Sequence, residues 1–461
     1  MGVCLGARRV RHDGNPPRHG DEGSAPRPAK WGGLLMETLL LFALLIVLIA
    51  TSIPIGIALG LATAIMLHFT TNVSLIMIAQ KSFSSLDSFP LLAIPFFILA
   101  GALMSYGGIS RRLVALAESL VGFIIGGLAM VTVLACMFFA AISGSGPATV
   151  SAIGSFMIPA MKERNYDAGF ASALTAAAGT IGVIIPPSIP FVLYSIVSGT
   201  SVGDLFLAGI VPGVIIGFLL MLNCYVIARK KGYLGDGKVH TLADTVKAFR
   251  EAVWALLVPV IILGGIYGGV FTPTEAAVVA VVYSVFIGIF VYRELTFASL
   301  YEALKDAVLV NGATSFMVGF SMAFAAYLAM AQIPAKLGAW LAGVSTDTIV
   351  IMLLLNFILL VIGCFVDNIA AVIILTPILL PVVTRLGIDP VQFGVIITVN
   401  LAIGFVTPPY GINLFVASAV SGESIEKISK NIMPFVISMG VALLLITFVP
   451  SLSLGLVRLL R

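Results

Sequence analysis

From Leu39 to Pro450 the chain is a succession of apolar runs, many near or above the roughly 20 residues that an α-helix needs to cross a bilayer. Nothing constrains the fold more. In hydrocarbon every backbone polar group must find its partner within the protein, which leaves helices as the spanning element for runs of this length. With 60% of residues hydrophobic and 10% charged, there is too little polar surface to clothe a soluble fold. The expected class is an all-α, polytopic membrane protein.

Two of these runs carry the same interruption, Gly182-Val183-Ile184-Ile185-Pro186-Pro187 and Gly404-Phe405-Val406-Thr407-Pro408-Pro409. A double proline after a glycine removes backbone donors and stops a helix. At membrane depth the freed carbonyls are tolerated only beside protein or an aqueous cavity, so two matching breaks point to two ion or substrate sites. The shift of 222 residues that superposes the breaks also brings Pro159 onto Pro381, Ala148 onto Ala370 and Ser145 onto Asp367. One further residue of adjustment aligns Val197-Ser198-Gly199 with Val420-Ser421-Gly422. Several matches in register indicate an internal repeat.

The resulting organisation is a first membrane repeat over 36–227, a basic linker over 228–252 and a second repeat over 253–461. Arg229, Lys230, Lys231, Lys238, Lys247 and Arg250 place the linker on the cytoplasmic side. In the first repeat a helical hairpin is expected near 121–162, turning at Ser143-Gly144-Ser145-Gly146-Pro147, then a broken helix near 168–198. The second has its hairpin near 348–385, turning at Phe365-Val366-Asp367-Asn368, and its broken helix near 391–421. Residues 108–120 and 421–431 mix charges with apolar residues and are expected in the interface plane. Lys162, Glu163 and Arg164 at the foot of the first hairpin suit a cytoplasmic origin, and inverted repeats then bring the second hairpin in from the opposite side.

Residues 1–35 differ from the rest, carrying six Lys/Arg and three Asp/Glu among Gly and Pro without apolar periodicity. They read either as a disordered basic tail or as the product of an upstream start, with Met36-Glu37-Thr38 resembling a natural beginning. Without them 19 basic residues face 18 acidic ones, so nucleic-acid binding gains no support. Cys4, Cys136, Cys224 and Cys364 form no CxxC pair, and His68 and His240 are isolated. None of them is assigned a role.

Sodium prefers oxygen ligands, and a Gly/Pro break exposes carbonyls that coordinate a monovalent cation without a buried carboxylate. The first sodium site is expected from the Ser143 hydroxyl with carbonyls of Gly182, Ile185 and Pro186. The second is expected from the Gly363 and Gly404 carbonyls, the Thr407 hydroxyl and the Tyr410 carbonyl. Against this stands the plain packing kink, which duplication opposite a polar hairpin turn disfavours. Half-helices beginning near Pro147, Pro187 and Pro409 point partial positive charge inward, favouring an anionic ligand group. Ser145, Ser188, Asp367 and Asn368 are the substrate candidates, with Asn413 a weaker one. Asp367, alone in an apolar neighbourhood, either meets a ligand or caps the helix that follows it. Thr272-Pro273-Thr274-Glu275 has the form of a capping box, and Ile94-Pro95-Phe96-Phe97 that of packing or lipid contacts.

Taken together, Leu91-Leu92-Ala93-Ile94-Pro95-Phe96-Phe97, Ala141-Ile142-Ser143-Gly144-Ser145, Ile185-Pro186-Pro187-Ser188-Ile189-Pro190-Phe191, Phe271-Thr272-Pro273-Thr274-Glu275-Ala276 and Thr407-Pro408-Pro409 resemble the large membrane subunit of tripartite ATP-independent periplasmic (TRAP) transporters. The resemblance covers nearly all of residues 36–461. It implies an elevator-type, sodium-driven carrier in the bacterial inner membrane that imports a carboxylate such as a C4-dicarboxylate or sialic acid. It also implies two protein partners, a small four-helix membrane subunit and a periplasmic solute-binding protein, besides membrane lipid. Ala140 departs from relatives that carry serine there, which throws more of the first site onto Ser143 and carbonyls. No fused small subunit is expected, and no P-loop is present for direct ATP coupling. Two alternatives stay open: an anion symporter independent of a binding protein, and an intramembrane enzyme using Ser143 or Ser145 with Asp367, which lacks a nearby base.

Overall fold

The computed structural model describes residues 31–51, 53–235, 241–336, 347–408 and 411–460. Among these there are helices and turns but no strand. The extension expected over 1–35 lies outside the described residues as far as Lys30, and α1 (Trp31–Ala50) begins within its end.

An outer group of helices comprises α1, α2 (Ile55–Thr70), α3 (Ile76–Leu86) and α4 (Ala93–Tyr106), the last entered through a 3-10 turn, Phe89–Leu92. The chain leaves this group through α5 (Ile109–Val121), whose Arg112 pairs with Glu294 at 2.8 Å and lies 3.8 Å from the Tyr292 ring centroid. The group is completed by α11 (Leu242–Tyr267), α12 (Pro273–Phe286, prolonged by a π-turn over Ile287–Val291) and α13 (Phe297–Met330). Helix α13 packs on α2, α3 and α4, and α12 packs on α4 and α11. The capping box expected at Thr272 is present, with the Glu275 side chain reaching back to the Thr272 N–H at 2.8 Å.

The inner group begins with α6 (Gly127–Ser143) and α7 (Gly146–Glu163), a hairpin around Gly144-Ser145. It continues through α8 (Ala168–Gly179), a 3-10 turn over Thr180–Val183, α9 (Ile189–Ser198) and α10 (Val202–Lys231). The second half supplies α14 (Thr348–Gly363) and α15 (Asn368–Arg385), then α16 (Pro390–Gly404), α17 (Ile412–Ser421), α18 (Ile425–Phe448) and α19 (Ser451–Leu460). Helices α9 and α17 have 10 residues each, about 15 Å at 1.5 Å per residue and half of a ~30 Å hydrocarbon core. They cannot span alone. Seven described helices are long and apolar enough to do so: 89–106, 202–231, 242–267, 273–291, 297–330, 368–385 and 425–448.

The two halves of the inner group are matched in detail. Asp167 caps α8 and Asp389 caps α16, while Gly199 and Gly422 end α9 and α17 in the left-handed region at φ 73° and 72°. Four residues before each glycine a serine hydroxyl donates to a carbonyl just past it, Ser195 to Thr200 O and Ser418 to Glu423 O. Packing is reciprocal as well: α9 lies on α15 while α17 lies on α7, and α10 lies on α16 while α18 lies on α8. Each half-helix is thus seated on the other half's hairpin.

Two expectations change. Most of the described residues of the basic stretch 228–252 are helical, because Arg229–Lys231 complete the last turn of α10, where cations favour the helix dipole, and Lys247 and Arg250 ride on α11; Lys238 lies outside the described residues. The charged residues expected as an interface segment over 421–431 instead open the spanning helix α18, with Ser424 as its cap and Glu426–Lys430 paired at 2.8 Å along it.

The foot of the first hairpin is tied to this junction. Lys162 Nζ donates to Ser421 O at 2.9 Å and pairs with Glu423 at 3.4 Å, while Lys427 holds the same carboxylate at 2.9 Å. The Lys427 hydrogen bond, with Lys162 behind it, keeps the Glu423 carboxyl below the ordinary carboxylate range. A depressed carboxyl stabilises the fold above its unfolded-state pKa and stops doing so as pH falls through its folded value. Glu423→Gln is therefore expected to lower the melting temperature slightly at neutral pH, the pair being partly exposed to solvent. The difference from wild type begins to close as pH falls below about 4 and vanishes below the folded value; a gap that persists in strong acid counts against the ion pair.

Candidate functional site

The turn of the first hairpin is built by two capping events. Gly144 takes φ 63°, and Ser145 then turns extended and caps α7, its hydroxyl accepting from the Ala148 N–H at 3.5 Å. An added Cβ at Gly144 would lie 2.7 Å from Pro187 O. The hairpin tip is thus pressed against the first break. At its centre Ser143 Oγ and Thr149 Oγ1 are 2.9 Å apart, and Thr149 Oγ1 donates to Ser145 O at 2.8 Å. Gly182 closes onto the same atoms, since an added Cβ would lie 2.5 Å from both Ser145 O and Thr149 Oγ1.

The structure therefore brings Ser143, Ser145 and Gly182 together and adds Thr149, which sequence reasoning missed. Its signal was its place, one helical turn after Ser145 on the same face. Ile185 and Pro186 lie in the turn between the 3-10 segment and α9, and Ile185 is buried. Ser188 is fully buried; its hydroxyl donates to Val183 O at 2.6 Å and accepts from Phe191 N at 3.4 Å. Its proton is committed to closing the break, so the donor expected for substrate is not free in this structure. Ser145, in contrast, lines a cavity of about 230 Å³ with Ser105, Tyr106, Ser143, Ser151 and Asp306. The Tyr106 hydroxyl donates to Asp306 at 2.6 Å, a contact across 200 residues that no local pattern announced.

The second region is tighter and less polar. Gly363 and Gly404 meet backbone to backbone: an added Cβ at Gly404 would lie 2.3 Å from Gly363 O. Thr407 Oγ1 donates to Ile403 O at 2.8 Å and the Thr407 N–H to Gly404 O at 3.2 Å, so both continue the helix over one more turn. Tyr410, expected to supply a carbonyl, lies outside the described residues together with Pro409. Helix α17 starts at Ile412 behind Gly411, a little beyond the start expected near Pro409. Asp367 caps α15, accepting from the Ile369 N–H at 2.9 Å. Next to it Asn368 is fully buried with neither amide atom hydrogen-bonded. A buried amide without partners is costly, which makes Asn368 the most conspicuous ligand group of the second turn.

Below this region runs a buried amide chain. Asn400 Nδ2 donates to Asn356 Oδ1 at 2.7 Å, Asn356 Nδ2 to Thr447 Oγ1 at 3.0 Å, and Gln392 Nε2 to Thr447 O at 3.1 Å. It joins α14, α16 and α18, beginning at Asn400, one turn before Gly404. Chemically the assembly offers hydroxyls, carbonyls and amides around two helix breaks, with one carboxylate at a helix N-terminus.

The family model for the DctM component of the tripartite ATP-independent periplasmic transporter matches residues 42–452. The isethionate TRAP transporter permease protein DctMQ of Oleidesulfovibrio alaskensis is 47% identical over 90% of this chain, which spans 65% of that relative's length. The C4-dicarboxylate TRAP transporter large permease protein DctM of Pseudomonas aeruginosa is 42% identical over 87% of this chain and 93% of its own. Among solved structures, the YdaH transporter of Alcanivorax borkumensis superposes with a TM-score of 0.59 at 16% identity, covering 92% of this chain and 98% of that one. The last likeness is one of fold.

Proposed function

This chain belongs to the DctM component family of tripartite ATP-independent periplasmic transporters, as a multi-pass inner-membrane large permease and not an enzyme, and from that premise we propose that it imports a small organic acid driven by sodium. The observation that carries the ion reading is the donor set at the first break. Ser143, Thr149 and Ser145 O are neutral oxygens packed against a glycine that leaves no side chain in the way. Neutral oxygens suit a hard monovalent cation that must be released in every cycle, where a carboxylate cage would hold it.

In this reading Ser143, Thr149 and the carbonyls of Ser145, Gly182, Ile185 and Pro186 hold one sodium ion. Gly363, Gly404, Thr407 and Tyr410 hold the other. Sodium supplies the driving force and neutralises the acid group it accompanies. The substrate lies between them, met by the N-terminal ends of α7 and α15 and by Ser145, Asp367 and Asn368; an acid group at such ends gains from the helix dipole and the free N–H groups. Ser188 shapes the site from behind. The inner helices, with both hairpins and both breaks, travel as one body past the outer group. The two halves enter the membrane from opposite sides, and their reciprocal packing supports this. A small membrane subunit and a periplasmic solute-binding protein complete the transporter. Relatives named for isethionate and for C4-dicarboxylates support a substrate among small organic anions.

The test is uptake into proteoliposomes containing both membrane subunits, with the binding protein and a labelled acid outside. Uptake is expected to require an inward sodium gradient. If net positive charge enters, a membrane potential adds about 2.3 kcal/mol per charge per 100 mV. Equal uptake after replacing sodium with choline sinks the sodium reading, and full uptake without the binding protein sinks the tripartite one.

A further inference from the structure

The change from α to 3-10 geometry at the first break displaces one carbonyl from its usual partner. The Thr180 N–H bonds Ala177 O and Ala178 O, whereas in a regular α-helix it would bond Ala176 O. An unpaired carbonyl at membrane depth is costly, and the donor that Ala176 O receives comes from the other half of the chain. It is Asn413 Nδ2, at 3.1 Å.

Asn413 is the second residue of α17 and is fully buried. Its backbone N–H donates to Phe405 O at 3.0 Å, which draws together the two sides of the second break. One residue thus closes the second break with its main chain and satisfies the first with its side chain. Because a carbonyl only accepts, the amide must present its nitrogen to Ala176. That leaves Oδ1 without a partner and facing Gly146, where an added Cβ would lie 3.3 Å from it. Gly146 opens the return arm of the first hairpin. Asn413 therefore touches both breaks and the hairpin tip that covers one of them.

We infer that Asn413 is a positioning residue that couples the two ion sites, so that ordering one break orders the other and the two sodium ions bind cooperatively. The coupling element has two states, the Asn413–Ala176 hydrogen bond made or broken, and any ligand that favours the closed form of one break biases the other by the same factor. Withdrawing the amide takes from Ala176 O the donor that reaches it from the second half and frees the first break to move without the second. This inference rests on the two-site sodium reading above.

The experiment is a sodium titration of the full chain in lipid nanodiscs, at constant ionic strength with potassium, read by hydrogen exchange over 176–183 and 404–413. In the wild type both segments are expected to gain protection at one shared midpoint with a Hill slope above 1. In Asn413→Ala and Asn413→Leu the slope is expected to fall to 1 and the midpoints to separate by about fivefold or more, the lower end of ordinary allosteric coupling. An unchanged slope and midpoint in folded variants overturns the coupling while leaving the sodium sites standing. Should neither variant fold, separate midpoints in the wild type overturn it just as well. A wild type with no sodium response removes the two-site reading, and the coupling falls with it.

Discussion

Gly404→Ala is expected to abolish uptake and to destabilise the protein strongly. The added Cβ would lie 2.3 Å from Gly363 O and 2.4 Å from its carbonyl carbon. Overpacking costs about 1–3 kcal/mol where side chains can yield; here the opposing atoms are backbone, so α14 and α16 must part and the second break loses its geometry. The reverse substitution is milder. At Gly363 the nearest atoms to an added Cβ are at 3.4 Å, ordinary contact, so Gly363→Ala is expected to keep most of the stability. Gly440, with nothing within 4 Å of an added Cβ, is the control, because alanine in mid-helix gains up to about 1 kcal/mol over glycine. Melting temperature and proteoliposome uptake for the three variants check the order. Wild-type values for Gly404→Ala would remove the close approach from the account of the second site.

The second large effect concerns Asp367, which the structure uses as a helix cap and which the proposed mechanism also uses as a charge. The two roles separate cleanly. Asparagine caps about as well as aspartate, whereas alanine forfeits about 0.5–2 kcal/mol of cap. Asp367→Asn is therefore expected to assemble and melt like the wild type, and Asp367→Ala to melt lower. If the carboxylate contacts substrate or ion, both variants lose transport. A hydrogen bond to a charged group is worth roughly 1.5–3 kcal/mol, which corresponds to a fall in uptake of about tenfold or more. Undiminished uptake by Asp367→Asn would leave Asp367 a cap and nothing else.

The elements of the site were legible in the sequence because each demands particular residue types. A hairpin turn at membrane depth needs a glycine that accepts positive φ and a side chain that caps the returning helix, and Gly144 with Ser145, and Asp367 at the second turn, stand where those are needed. Glycine and paired prolines announced the breaks for the same reason. The charges misled where they sat on helix ends, since Arg229–Lys231 and Glu423–Lys427 look like loop or interface but are the capped ends of spanning helices. What could not be read were partners far apart in the chain. Tyr106 finds Asp306 200 residues away, Asn356 finds Thr447 91 residues away, and Ala176 O finds Asn413 237 residues away.

By itself the amino-acid order determined that the chain spans a membrane, where its helices stop, and that the stopping pattern occurs twice. These are local demands: hydrocarbon tolerates no unpaired backbone, and only glycine, proline and short polar caps allow a helix to end inside it. Which free group satisfies which was decided by the tertiary structure. Seating α9 on the second hairpin and α17 on the first leaves Ser145 open to a cavity and hands the carbonyl left over at the first break to an amide from the second. Hydrogen-bond partners at membrane depth are a matter of distance in space, and helix packing alone sets that distance.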